Sequence, residues 1–363
     1  MKKIIAMSVL GMSLLAGNAQ TRWVNPAKAD FYAVQNQGWA EELAGSYKRL
    51  PPRAEKTVRK ALWDLSRNSA GLAVRFKTDS PEITIRYSVE GPLSMPHMPA
   101  TGVSGVDMYR LSSEGKPEFC FGSYSFGDTI RYSYTNLGST LKPGQEVEYE
   151  LNLPLFNTVK FLEIGTPQGA SFILQPRRTE KPVVVYGTSI AHGACSSRPG
   201  MAWANIVRRN LDMPLVNLGF SGNGRLEPEL VDLVNELDAA VYVLDCMPNL
   251  TQKTEQEVTA LVLDAVAKIR AKSNTPILLV EHAGYSNAPT NAAQYELYTR
   301  LNRGQRVAFD KLMNEGTPNL FYLTHDQLGF SPDSWVDYVH PSDLGAQKQA
   351  DAVTAKLKEI LNR

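Results

Sequence analysis

Five short apolar segments in the second half of the chain constrain its fold more than any other feature. Each is followed by a longer stretch in which apolar residues recur every three or four positions. Nearly all-apolar strands that alternate with amphipathic helices are typical of a parallel sheet covered by helices on both faces. We therefore predict an α/β three-layer (αβα) domain over residues 181–363. Its five predicted strands lie within residues 183–186, 214–220, 239–246, 276–282 and 319–325.

The first half of the chain has a different periodicity. Apolar and polar residues alternate there in several segments that are separated by turn-forming residues, as in "EITIRYSV" at residues 82–89. A period of two in short runs rich in β-branched and aromatic residues is typical of antiparallel strands. We predict an N-terminal antiparallel β-sandwich over residues 21–180. The clearest segments span residues 71–78, 82–89, 146–155 and 158–165.

Residues 1–20 have the composition of a secretory signal peptide. Lys2 and Lys3 precede an apolar run, and small residues follow it at 16–19. This order predicts cleavage and export to the periplasm or the extracellular space, although a buried N-terminal strand is an alternative. No second apolar stretch reaches the roughly 18 residues that a membrane-spanning helix needs, so no transmembrane segment is predicted in the mature chain.

Charge and composition exclude some classes of partner. The formal charge is +1, and it becomes −1 once Lys2 and Lys3 are removed. A chain so close to neutral has no broad basic field, so we predict no nucleic-acid partner. The hydrophobic fraction of 43% is that of an ordinary globular protein.

Cysteine and histidine spacing gives no metal motif. Cys120, Cys195 and Cys246 form no C-x-x-C pair, and the five histidines form no H-E-x-x-H. The "GFSGNG" segment also lacks the dinucleotide-binding glycine pattern. We therefore predict neither a metal nor a cofactor. Whether Cys195 and Cys246 form a disulfide or remain buried thiols stays open.

Polar residues follow the predicted strands at the edge where open parallel sheets bind ligands. Ser189 follows the first strand, Gly222 lies in the turn after the second, and Asn249 follows the third. Asp337 and His340 precede the last helix. A serine hydroxyl, a histidine base and an orienting aspartate are the groups of a nucleophilic triad. The backbone N–H groups of Ser189 and Gly222 and the Asn249 amide are candidate oxyanion donors.

Each of these residues also has a structural interpretation. Ser189 is a possible helix N-cap, and Gly222 a residue required only for its backbone conformation. Asn249 follows a proline and is a possible turn residue. His325, at the end of the fifth strand, is a rival base, but no acid stands three residues before it.

The order of these motifs resembles the SGNH (GDSL) hydrolase superfamily. "GTS" at 187–189, a glycine after strand two, an asparagine after strand three and "DYVH" at 337–340 match its four blocks. "GVDMYR" at 105–110 is similar to the GxDLY motif, which names a β-rich domain that precedes some SGNH-type esterases. The resemblance implies a flavodoxin-like hydrolase domain with strand order 2-1-3-4-5. It also implies a catalytic set of Ser189, Asp337 and His340 with an oxyanion hole of Ser189, Gly222 and Asn249.

The chain departs from the family pattern at two positions. Thr188 stands where the wider family has an acid, and Pro248 precedes the asparagine in place of the usual G-x-N-D. The sequence does not explain either replacement.

Four further residues near the strand ends are candidates for substrate binding. They are His192, Arg198, Glu281 and His282. A buried polar strand end or a structural ion pair is the alternative for each of them. The Met- and Pro-rich segment 91–104 either reaches over the hydrolase site or packs on its own domain.

These features together predict a secreted serine esterase that acts on a small-molecule or glycan ester. Removal of O-acetyl groups from carbohydrates through an acyl-enzyme is the preferred hypothesis, and it rests on the family resemblance. A lipid esterase of the lysophospholipase or acetylhydrolase kind is one alternative. A carbohydrate-binding protein with a silent hydrolase domain is another.

Overall fold

A computed structural model describes residues 20–112 and 114–362 of the chain. The predicted signal peptide, apart from its last residue, lies outside the described residues. Two antiparallel sheets in the first half are followed by one parallel sheet with helices in the second half. Within the described residues, no helix is both long enough and apolar enough to cross a bilayer.

The N-terminal part is the predicted antiparallel β-sandwich. One sheet has the order β1-β10-β4-β8-β7, and the other has the order β11-β3-β9-β5-β6 with β2 also paired to β3. Alternate residues point into the core between the sheets, as with the fully buried Ile83, Ile85 and Tyr87. The strands are β1 Thr21–Val24, β2 Val34–Gln35, β3 Ala73–Thr78, β4 Ile83–Val89, β5 Asp107–Leu111, β6 Pro117–Cys120, β7 Ser123–Ser125, β8 Ile130–Tyr134, β9 Val147–Asn152, β10 Val159–Pro167 and β11 Ile173–Leu174. Two helices, α1 Lys60–Ser66 and α2 Ala100–Val103, interrupt them.

The C-terminal part is the predicted α/β/α domain. Its strands are β12 Val183–Gly187, β13 Leu215–Gly219, β14 Val241–Asp245, β15 Ile277–Val280 and β16 Leu320–Leu323. They lie in the order β13-β12-β14-β15-β16 and pair in parallel. Its helices are α3 Ser189–His192, α4 Trp203–Leu211, α5 Pro228–Val234, α6 Glu255–Arg270, α7 Ala292–Asn314, α8 His325–Leu328 and α9 Asp343–Leu361.

The parallel strands are apolar on both faces because each face lies on a separate core. In β12, Val184 and Tyr186 belong to one core, and Val183 and Val185 belong to the other. Helix α6 covers one of these faces with a buried stripe that includes Val258. Burial on both sides explains why these segments read as continuous apolar runs rather than as alternating ones.

The segment between β2 and β3 packs into the core of the α/β/α domain, which the sequence does not predict. Trp39, Leu50 and Leu62 are buried in the same cluster as the face of the parallel sheet that carries Val184 and Tyr186. The Trp39 indole nitrogen also donates to a Glu236 carboxylate oxygen at 2.8 Å. This segment lacks strand alternation, so its packing against the second half depends on tertiary contacts that local periodicity does not reveal.

Candidate active site

The carboxyl edge of the parallel sheet brings three sequence-predicted residues into one hydrogen-bonded chain. Ser189 begins α3 directly after β12, and the loop before α9 carries Asp337 and His340. His340 Nε2 lies 3.0 Å from Ser189 Oγ, and His340 Nδ1 lies 2.7 Å from Asp337 Oδ2. A base that contacts the hydroxyl on one side and a carboxylate on the other is the geometry of a nucleophilic triad.

The Asp337 carboxylate is fixed by its own loop. Its Oδ1 accepts the backbone N–H groups of Val339 at 2.8 Å and His340 at 2.7 Å. Burial alone would raise the pKa of Asp337, but the hydrogen bonds from the His340 ring and from these backbone groups outweigh it and lower the pKa. The carboxylate therefore stays ionised at neutral pH and can orient the imidazole.

The structure gives Thr188 a local role. Its side-chain oxygen accepts the backbone N–H of Ile190 at 3.3 Å, so Thr188 is the N-cap of α3. The cap interpretation that the sequence left open for Ser189 thus applies to its neighbour. Ser189 is the first helical residue, and its hydroxyl is directed to His340.

The turn after β13 contains two glycines with different requirements, and one of them, Gly224, contacts Asn249. Gly222 has a φ of +69°, which favours glycine, but a Cβ there would meet nothing within 4 Å. A Cβ on Gly224 would lie 2.1 Å from the Gly187 carbonyl oxygen, so Gly224 is required by close packing. Asn249 Oδ1 accepts the Gly224 N–H at 3.0 Å, which fixes the amide oxygen and leaves the NH₂ group as the donor end of this side chain.

Two of the four candidate substrate residues are completely enclosed. His192 is fully buried, its Nε2 lies 2.8 Å from the Leu155 carbonyl oxygen, and its ring stacks on Phe156. His282 is also buried, and its Nδ1 accepts the Gly284 N–H at 2.9 Å. Burial lowers the pKa of both histidines, that of His282 to about 3, so both rings are neutral. These histidines support the fold and have no surface to offer a substrate.

Arg198, the third candidate, is used at the contact between the two halves of the chain. Its guanidinium donates to Asp107 Oδ2 at 2.5 Å and to the Tyr109 hydroxyl at 2.6 Å. Asp107 also accepts the Gly200 N–H at 2.8 Å. The GxDLY-like segment therefore holds the loop that follows α3.

Glu281, the fourth candidate, accepts a hydrogen bond from the backbone that follows β16. Its carboxylate accepts the His325 backbone N–H at 2.6 Å, at the start of α8. The rival base His325 does have an acid, because Asp326 Oδ1 lies 3.1 Å from its Nδ1. Its ring stacks on Tyr298, however, whereas the contact to Ser189 is made by His340.

The open question about the cysteines is answered in favour of thiols. Cys195 and Cys246 are both free and buried. Cys246 Sγ lies 3.6 Å from the Tyr186 carbonyl oxygen, and Cys195 Sγ lies 3.5 Å from that of His97. Burial and the nearby Asp337 charge raise the pKa of Cys195 to about 12, so it is not a ready nucleophile.

His97 is the site residue that sequence reasoning missed. The segment 91–104 does reach the hydrolase site, and the His97 ring stacks over His340 with centroids 5.7 Å apart. Thr101 Oγ1 donates to the Ser197 carbonyl oxygen at 2.7 Å and anchors the segment. The fold also brings His97, Cys195 and His340 within metal-binding range, although their sequence spacing predicts no metal site. The only sequence signal for this contact was that segment 91–104 lacks the period of a strand.

Asp245 at the end of β14 leads to a prediction about pH and stability. It is fully buried, and burial raises its pKa to about 7 even though Gln349 donates to it at 3.1 Å. The folded protein therefore holds this proton more tightly than the unfolded chain, and stability falls as pH rises from about 4 to 7. Asp245→Asn, which stays neutral, is expected to be up to about 4 kcal/mol more stable than wild type at pH 8. Urea unfolding at pH 4 to 8 tests this, and an advantage that does not grow with pH would contradict it.

A parallel α/β/α sheet with a hydrogen-bonded Ser–His–Asp arrangement at its carboxyl edge is typical of hydrolases. Residues 180–358 match the GDSL-like Lipase/Acylhydrolase family, and residues 21–172 match GxDLY, described as the N-terminus of SGNH-hydrolase-type esterases. The chain belongs to the GDSL-like (SGNH) hydrolase family, in the group that carries the GxDLY domain. Its activity class is therefore that of an esterase or acylhydrolase.

Solved structures resemble the chain over almost its whole length. One, described as a GDSL-like lipase from Bacteroides ovatus, is 29% identical, with a TM-score of 0.85, and the match covers 94% of this chain and 98% of that chain. The salicylyl-acyltransferase SsfX3 from a tetracycline biosynthetic pathway is 19% identical, with a TM-score of 0.73, over 96% of this chain and 100% of that chain. A family two carbohydrate esterase from Clostridium thermocellum, in complex with cellohexaose, is 13% identical, with a TM-score of 0.51, and the match covers 81% of this chain and 93% of that chain. The last two show likeness of fold alone. No curated protein matches the chain.

Proposed function

We propose that the protein is an exported serine esterase that removes O-acetyl groups from carbohydrates through an acyl-enzyme. The observation that carries the catalytic part is the contact of Ser189 Oγ with His340 Nε2 at 3.0 Å, with Asp337 behind the ring at 2.7 Å. The activity class follows from the family, and the residue roles below are proposals.

The first half of the reaction forms the acyl-enzyme. Ser189 Oγ attacks the ester carbonyl carbon while its proton moves to His340 Nε2. Asp337 stabilises the imidazolium that forms, because its carboxylate accepts the Nδ1 proton. The tetrahedral intermediate collapses when His340 returns the proton to the leaving alcohol, and the acyl group stays on Ser189.

Three donors would hold the oxyanion of that intermediate. They are the backbone N–H groups of Ser189 and Gly222 and the side-chain amide of Asn249. The bond from the Gly224 N–H to Asn249 Oδ1 at 3.0 Å supports this role, since it presents the opposite, NH₂ end of the amide as the donor. Water then attacks the acyl-enzyme with His340 as base, and Ser189 is regenerated.

The fold and the start of the chain support an acetylated carbohydrate as the substrate. A β-sandwich precedes the hydrolase domain, and carbohydrate esterases are among the proteins of similar fold. The basic and apolar start of the chain supports export, which would bring the enzyme to glycans outside the cytoplasm.

Acetate release from acetylated oligosaccharides, compared with hydrolysis of p-nitrophenyl acetate, butyrate and octanoate, tests the substrate class. We expect acetate release and a preference for acetyl over octanoyl esters, with no release by Ser189→Ala. A preference for octanoate or for lysophospholipid would favour the lipid esterase instead. Glycan binding without acetate release would favour the carbohydrate-binding alternative.

A further inference from the structure

Three metal-ligating side chains from distant parts of the chain meet beside the triad. His97 comes from segment 91–104, Cys195 from the loop after α3, and His340 from the loop before α9. One ligand atom of each lies within 4.8 Å of the ligand atoms of the other two. Of the three, only His340 takes part in the proposed ester hydrolysis, so His97 and Cys195 have no role in that reaction.

The donor set suits a transition-metal cation. Zinc binds imidazole nitrogen at about 2.0–2.1 Å and thiolate sulfur at about 2.3 Å, which places neighbouring ligands of a tetrahedral site roughly 3.3–3.8 Å apart. The three atoms therefore need to approach by at most about 1.5 Å from the observed spread. His97 is exposed, so rotation of its side chain can shorten its own distances to the other two ligand atoms.

The surroundings of His340 match those of a metal-binding histidine. Its Nδ1 is 2.7 Å from the Asp337 carboxylate, which fixes the tautomer and places the lone pair on Nε2, where Ser189 Oγ lies 3.0 Å away. Histidines that bind zinc commonly donate their other nitrogen to a carboxylate in this way. The same lone pair is the one that must accept the Ser189 proton.

Cys195 is held in an unusual backbone conformation that aims its sulfur at His97. Its φ is +63°, in the left-handed region that residues with a Cβ seldom adopt. Its Sγ lies 3.5 Å from the His97 carbonyl oxygen, a weak contact that a metal–sulfur bond would replace. The position thus keeps a thiol at a place where glycine would fit the backbone better.

We propose that His97, Cys195 and His340 form a binding site for a divalent transition-metal cation such as Zn²⁺, and that the bound cation reversibly inhibits ester hydrolysis. The thiol proton of Cys195 leaves to solvent when the sulfur binds the cation. His340 binds the cation through the lone pair of its Nε2. No electron is transferred. The metal site stands on its own geometry, whereas the inhibition rests on the proposed function.

Binding is tested with Co²⁺ on Ser189→Ala, which keeps all three ligands and needs no activity. A thiolate-to-cobalt charge-transfer band is expected, and it should be absent from Ser189→Ala/Cys195→Ser. Ser189→Ala/Cys120→Ser is the matched control, because Cys120 is a free cysteine on the β-sandwich, and it should keep the band. No band in Ser189→Ala, or the same band without Cys195, would overturn the site.

Inhibition is tested by Zn²⁺ titration of the active enzyme, with each variant normalised to its own rate without metal. His97→Ala is expected to raise the half-inhibitory Zn²⁺ concentration at least about tenfold, while the control His325→Ala leaves it unchanged. EDTA should restore the wild-type rate. Equal inhibition of wild type and His97→Ala, or cobalt binding without zinc inhibition, would overturn the inhibitory role. An enzyme inactive on every ester would contradict the proposed function, and the cobalt spectrum would still decide the metal site.

Discussion

Replacing Ser189 with alanine is expected to lower kcat for ester hydrolysis by about 10⁴-fold or more. The change removes the hydroxyl oxygen that is proposed to form the acyl-enzyme, while the small side chain leaves α3 intact. Thr188 still caps this helix through the Ile190 N–H, so folding should not suffer. Initial rates on p-nitrophenyl acetate and the thermal midpoint Tm of both proteins provide the measurement.

The matched control for this variant is Ser196→Ala. Ser196 is a buried serine a few residues further along the same segment, and it has no place in the proposed chemistry. We expect it to retain most of the wild-type rate.

The rate losses of residues that act as one unit are not additive, so Ser189→Ala/His340→Ala should be no slower than Ser189→Ala alone. A further large loss in the double variant would contradict the shared role.

Replacing Arg208 with methionine is expected to destabilise the protein by about 3–5 kcal/mol. Arg208 on α4 pairs with Glu150 on β9, and both side chains are less than a tenth exposed. Its second nitrogen donates to Asn152 Oδ1 at 2.8 Å. Burial raises the pKa of Glu150, but the charge and hydrogen bond of Arg208 outweigh it and lower the pKa overall. Without Arg208 a buried carboxylate would lose its main partner.

Two comparisons separate this loss from a general effect of removing an arginine. Arg208→Met/Glu150→Leu removes both charges and is expected to recover most of the lost stability. Arg303→Met removes an exposed partner of Glu296 and should cost no more than about 1 kcal/mol. Free energies of unfolding in urea give the three values. A loss below about 1 kcal/mol in Arg208→Met would contradict a tight coupling between the two halves.

Sequence periodicity was sufficient to predict both fold classes because it reflects local burial. Both faces of the strand at 183–186 are buried, which explains its continuous apolar run. Only one face of β4 is buried, which explains the alternation of Ile83, Ile85 and Tyr87 with more polar residues. Position after a strand nominated Ser189, and the spacing of Asp337 and His340 before the last helix nominated His340; the structure brings Ser189 and His340 together.

Other features could not be predicted because they depend on side-chain direction and tertiary contact. His192 and His282 lie near strand ends, as substrate ligands would, yet both point inward and are buried. Arg198 is engaged by Asp107, a residue almost a hundred positions earlier. The meeting of His97 with Cys195 likewise joins two domains whose sequences show no common pattern.

The mass of the enzyme during turnover shows whether Ser189 is the nucleophile. Rapid acid quenching of the protein mixed with p-nitrophenyl acetate, followed by mass spectrometry of its peptides, detects an acyl-enzyme. We expect one acetyl group per chain on the peptide that contains Ser189, and none in Ser189→Ala. Acetylation of a different residue, or rapid turnover by Ser189→Ala, would contradict it.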